Sequence, residues 1–202
     1  MPPGQWHGVP DGQDPIAVNV LGDLGLALSH DAVNFTEPIP GFAFIQEANS
    51  PPSALPPPTA HALMQGQGMY NIGDQTLFWY AHWGDSQLVV AGWARDRLGY
   101  ATPETNSARI VSCLIRAPQG AAKVYLNAQV DPAGQLFVTL LRNDGQPIPG
   151  FQNAPVGGDS LRQQIIWSGG DSLTSGMGPI RLQLSGTGDW KVYAIYVEGV
   201  MP

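Results

Sequence analysis

This 202-residue chain has a single cysteine, Cys113, so an internal disulfide is excluded. It has little charge: Asp, Glu, Lys and Arg make up 12% of it, about half the usual globular share. Basic residues are scarcest in the front half. Residues 1–104 hold only Arg95 and Arg97 against ten acidic side chains, whereas residues 105–202 are nearly balanced. A front half that acidic does not suit nucleic acid as a partner, because phosphate binding needs clustered Lys and Arg. No apolar run approaches the roughly 18 residues of a spanning helix, so no membrane partner is expected. The start, "MPPGQWHGVPDG", lacks the basic-then-apolar order of a signal peptide. That leaves the location open between the cytoplasm and part of a longer exported protein. The four histidines, His7, His30, His61 and His82, show no HxH or HExxH spacing, and there is no acidic calcium loop. No metal and no cofactor is expected. A G-x-S-x-G nucleophile elbow is also missing.

What the chain does have is glycine (25), proline (19) and a 43% hydrophobic share, a mixture that suits turn-rich β structure. In the second half, strands are expected at 109–117, 122–130, 135–143, 162–169, 179–186 and 190–199. Period-two alternation is clear in "AKVYLNAQV" and "PIRLQLSG". In the last strand, Val192, Ala194 and Tyr196 are expected to oppose Tyr193, Ile195 and Val197. Cys113, within "RIVSCLI", reads as a small core residue. "NDGQ" at 143–146 is a hairpin turn. About six strands in some ninety residues point to a self-contained β-sandwich.

The front half offers about four strands with long loops. They include Leu24 to Ser29, "VNFTEP", "QTLFWYAHW" (75–83) and "SQLVVAGWA" (86–94), the last two forming a hairpin. Residues 47–60, "EANSPPSALPPPTA", read as a Pro-rich loop. "MQGQGMYNIGD" (64–74) reads as an inter-strand loop. Its glycine spacing is wrong for a nucleotide fingerprint, and a strand rather than a helix follows it.

Three segments, "GDLGLALSHDAVNFTEPIPGF", "LMQGQGMYNIGDQTLFWYAHW" and "ARDRLGY", resemble the last part of five-bladed propellers related to glycoside hydrolase families 43, 32 and 68. The tail, from "VYLNAQVDPAGQLFVTLLRNDGQPIPGF" to "GPIRLQLSGTGDWKVYAIYV", resembles the C-terminal β-sandwich attached to such propellers in bacterial glycosidase-like proteins. The resemblance spans most of residues 6–198. It implies an all-β chain: an incomplete β-propeller segment of about one blade at 1–104, then an antiparallel β-sandwich at 105–202. It also implies a carbohydrate-active parent whose three catalytic carboxylates come from the first three blades. Those residues have no matching positions here, so no catalytic residue is assigned.

Carbohydrate remains the expected partner. The candidate contacts are Asp23, Gln65, Gln67, Asn71, Trp83 and His7. The amides suit sugar hydroxyls, the indole suits the C–H face of a sugar ring, and His7 matches a loop position of the family. Asp31 and Asp74 read as turn residues that bond local N–H groups. Asp96, between Arg95 and Arg97, reads as a structural ion pair. His82 reads as a buried, hydrogen-bonded histidine. Alternative readings are a carbohydrate-binding module and a structural or assembly protein. An exposed blade edge offers a route to self-association.

Overall fold

The structure, a computed structural model, describes residues 21–29, 31–52, 61–83, 87–116 and 120–199. The chain is all-β, as the composition implied, and its several sheets are built from short strands and tight turns. It divides into two compact units. The first comprises residues 1–70 and 76–92, and the second residues 71–75 and 93–202.

β1 (Leu21–Gly22), β4 (His61–Ile72), β5 (Gln75–His82) and β6 (Leu88–Ala94) form one sheet in the order β1-β4-β5-β6, and most of their residues belong to the first unit. β1 runs parallel to β4, so this is not the four-stranded antiparallel meander of a regular blade. The alternation of β5 is strict. Thr76, Phe78, Tyr80 and His82 are buried on one face, and Leu77, Trp79 and Ala81 are half-buried on the other. Phe78 meets Phe44 edge to face, with centroids 5.6 Å apart. Phe44 lies on β3 (Ala43–Ile45), which pairs with β2 (Leu24–Gly25).

Two expectations for this unit change. Most of "MQGQGMYNIGD" is strand, not loop: it continues β4, and only Gly73 and Asp74 form the turn into β5. Gly73 has φ +55°, the positive value that a two-residue hairpin turn needs. Gly66 has a packing role, because a Cβ there would lie 2.5 Å from the Trp79 carbonyl oxygen. "VNFTEP" forms no strand. The Asp31 carboxylate accepts hydrogen bonds from the Val33 and Asn34 N–H groups (2.9 and 2.7 Å) and from Asn34 Nδ2. Those local bonds take donors that a ladder would use, leaving only a bridge between Leu28 and Thr36.

Among the described residues the second unit holds two sheets. One has the order β11-β10-β14-β7, built from β7 (Ser107–Val111), β10 (Gln135–Arg142), β11 (Ala154–Val156) and β14 (Pro179–Thr187). β8 (Ile115–Arg116) adds to β14 beyond β7. The other centres on β9 (Ala121–Val130). β15 (Trp190–Gly199) flanks β9 on one side, and β12 (Gly158–Gln164) and β13 (Ser172–Thr174) flank it in succession on the other. Their inner faces share one core that includes Val124, Leu126, Leu140, Ile165, Leu182 and Trp190. Burying each such side chain contributes about 1.5–3 kcal/mol. Trp167 is buried too, and its Nε1–H donates to the Val138 carbonyl (2.9 Å).

Two irregularities overturn expectations here. "RIVSCLIRA" is not one strand. Ile110 pairs with Leu184 and Ile115 with Ile180, so the edge strand carries one residue too many for its partner. At this bulge the Leu182 N–H donates to the Ser112 hydroxyl (2.9 Å), and Arg181 donates to the Ser112 carbonyl (3.0 Å). Cys113 turns outward and is exposed rather than in the core. In β15, register shifts between Val192 and Ala194. Val192 lies on the core face. Beyond the shift Val197 takes that face, and Tyr196 sits opposite Tyr125 on the outer one. The continuous alternation expected for β15 is therefore broken at Tyr193.

Candidate functional site

One group of polar side chains of the second unit gathers on the outer face of the β9-centred sheet. Asn127 is fully buried there. Its Nδ2–H donates to the Arg95 carbonyl (2.6 Å), and its Oδ1 accepts from Arg97 Nε (2.9 Å). Arg97 also pairs with Asp159 and lies over the Tyr193 ring, 4.5 Å from its centroid. Asp96, between the two arginines, adopts φ +56°, a left-handed conformation that Asp tolerates better than most residues. Its Oδ1 accepts from Asn71 Nδ2 (2.8 Å), and its Oδ2 accepts from the Tyr196 hydroxyl (2.5 Å), with Arg95 Nε at 3.6 Å. Tyr196 reaches Asp96 because of the register shift in β15.

Electrostatics follow the contacts. Partial burial pushes the Asp96 carboxyl up, but the bonds from Tyr196 and Asn71 and the charge of Arg95 outweigh it, so its pKa lies below the ordinary value. Burial and the bond to Asp96 push the Tyr196 phenol up. The hydrogen bond from Arg97 lowers Asp159, and bonds from Ser172 and then Lys123 lower Asp171. The two backbone N–H groups of Asn34 and Val33 hold Asp31 far below the usual carboxylate range.

Beside this cluster lies a shallow cleft of about 110 Å³, lined by Asp74, Arg95, Leu161, Arg162, Tyr196 and Glu198. Ligand pockets usually measure about 300–1,000 Å³, so it is too small to enclose a sugar ring. Arg162 is already paired with Glu198 and stacked over Tyr125 at 3.8 Å. Among the described residues the carboxyls of Asp31, Asp96, Asp159 and Asp171 are all held below the ordinary value by the hydrogen bonds they accept. Among the described residues no group of His, Cys, Asp and Glu could hold a metal ion.

The predicted contact residues have separate settings. Asp23 is exposed, and its carboxylate accepts the Glu47 N–H (2.7 Å), steadying the 3-10 turn at Glu47–Asn49. Asn71 bonds Asp96 and belongs to the polar cluster. Gln65 is exposed on β4. Trp83 is 47% exposed just past β5, where its backbone N–H donates to the Ala62 carbonyl. His7 and the Gln67 side chain lie outside the described residues. His82 is buried, with Nε2 2.9 Å from the Pro51 carbonyl. Sequence reasoning missed Asn127, Asp159, Arg162 and Tyr196 as one cluster. The outward positions of "AKVYLNAQV" and "LRQQ" carried its polar members, but the shift at Tyr193 has no sequence signal.

Comparison with protein-family models, curated proteins and solved structures gives no match to this chain.

Proposed function

We propose that this chain is the C-terminal, non-catalytic portion of a glycosidase-like carbohydrate-active protein, with about one propeller blade preceding a β-sandwich. The observation that carries this reading is the uneven exposure of large apolar side chains. Among the described residues, eleven in the first unit are exposed, among them Val33 (78%), Leu88 (66%) and Phe35 (61%). The second unit has six, although it supplies most of the described residues. Concentrated apolar exposure marks a surface that another body covers. A blade packed against neighbouring blades has such surfaces, and a free-standing domain does not. Strands β4, β5 and β6 would be the antiparallel part of that blade. The two facing sheets of the second unit fit a sandwich with Greek-key-like crossings.

The test is hydrolysis of a panel of aryl-glycosides by this chain alone. No turnover is expected. Turnover that disappears on Asp23→Asn would overturn the reading. A second reading, a carbohydrate-binding module, draws on the half-exposed Trp83 indole. A glycan array decides it: retention lost on Trp83→Ala supports the module and removes the need for further blades.

A further inference from the structure

Strand β6 ends its sheet. Among the described residues no strand lies on its outer side. Natural edge strands are guarded by lysine, proline, bulges or a covering element. The sequence of β6, "LVVAGWA", has no charge and no proline. The direction of its backbone groups follows from its end. The Arg95 N–H, one residue past the strand, donates to the Asp74 carbonyl on the β5 side (2.8 Å). Antiparallel strands alternate sides by residue, so Leu88, Val90, Gly92 and Ala94 aim their backbone N–H and C=O groups outward. The same four residues are the exposed ones in an alternating burial pattern. Leu88 is 66% and Val90 50% exposed.

Those four side chains run large, large, absent, small. A strand laid antiparallel on this edge fits best if it offers little opposite Leu88 and Val90 and bulk opposite Gly92 and Ala94. The sequence of β6 read in reverse meets that demand. We propose that β6 is a self-pairing edge: two copies of this chain join their β6 strands antiparallel about a two-fold axis through Ala91. Leu88 then lies opposite Ala94 of the partner subunit, and Val90 opposite the partner's Gly92. The arrangement is isologous and closed, as most homodimers are. It forms about six inter-strand hydrogen bonds, because the Ala94 carbonyl already accepts from the Arg97 N–H. No like charges oppose each other, since the strand has none. The inference does not rest on the glycosidase-like reading, and either can fail without the other.

The test is sedimentation velocity of the full chain across roughly 1–200 μM. Wild-type protein is expected to reach twice the 21.5 kDa chain mass. Val90→Lys, on the exposed face, is expected to weaken association about tenfold or more, with its circular dichroism spectrum unchanged. Register is read by cross-linking in a Cys113→Ser background. Ala91→Cys sits on the axis in a close, non-hydrogen-bonded pair and is expected to form an intermolecular disulfide. Val89→Cys, whose opposite residue is Trp93, is not. A wild-type monomer throughout the range overturns the proposal, as does dimerisation unaffected by Val90→Lys. Equal cross-linking at positions 89 and 91 overturns the register and with it the self-complementary edge.

Discussion

Replacing Asn127 by alanine removes the one side chain that bonds both arginines flanking Asp96. It loses an acceptor 2.9 Å from Arg97 Nε and a donor 2.6 Å from the Arg95 carbonyl. A hydrogen bond to a charged group contributes about 1.5–3 kcal/mol, and stranding a buried acceptor costs about 1–3 kcal/mol. Arg97 keeps Asp159 as a partner, and its side chain is 14% exposed, so the lower ends apply. Asn127→Ala should therefore destabilise the second unit by about 2.5 kcal/mol. With a urea slope of about 1.5 kcal/mol/M, the midpoint falls by about 1.7 M. The assay is urea unfolding followed by near-ultraviolet circular dichroism of the buried Trp167 and Trp190. A double-mutant cycle with Arg97→Ala should return a coupling of about 1–2 kcal/mol. A midpoint that moves by less than about 0.3 M, or a coupling near zero, would refute the claim that Asn127 fastens residues 95–97 to β9.

Gly66→Ala should lower the melting temperature of the first unit. Its new Cβ meets the Trp79 carbonyl at 2.5 Å, and overpacking of this kind costs about 1–3 kcal/mol. Gly92→Ala, whose Cβ meets only the flexible end of Leu77 at 3.4 Å, is the matched control and should cost less. Acid should unfold the chain in a predictable direction. Asp31, Asp96, Asp159 and Asp171 all have folded pKa values below their unfolded ones. Their contribution is complete well above the unfolded carboxylate value near about 4 and is lost as pH falls through the lower folded values. Urea midpoints measured from pH 7 downward should thus stay level and then drop below about pH 5. A midpoint that rises in acid would contradict the assignment of these four as ion-paired or hydrogen-bonded carboxylates.

Alternation carried most of what could be read from the sequence. β5 and β14 each bury one side of a period-two pattern, β9 does so apart from the buried Asn127, and Val124, Leu126, Leu182 and Leu184 are inside as that pattern requires. The pattern fails where one residue is inserted into a ladder. At Ser112 a hydroxyl stands in for a backbone acceptor, and at Tyr193 the register slips, and neither leaves a mark in composition. These two sites decide where Cys113 and Tyr196 point. Glycine was ambiguous for a similar reason. "MQGQGM" looks like a loop because glycine is common in turns, yet Gly66 is in β4 so that the β5 backbone can come close. The contact residues were chosen by chemical type, and type does not reveal prior engagement. Asp23 and Asn71 are polar and exposed, but each already has a structural bond.

The most direct test of the account is hydrogen–deuterium exchange of the isolated chain, compared strand by strand. The second unit has a large shared core, whereas the first buries few apolar side chains, Leu63, Phe78 and Tyr80 among them, and leaves many others exposed. Amides of β9, β10 and β14 should exchange at the global unfolding rate, and those of β4, β5 and β6 should exchange many-fold faster through local opening. Protection of β4, β5 and β6 equal to that of β9 and β10 in a monomeric sample would contradict it, because the first unit would then need nothing to cover it.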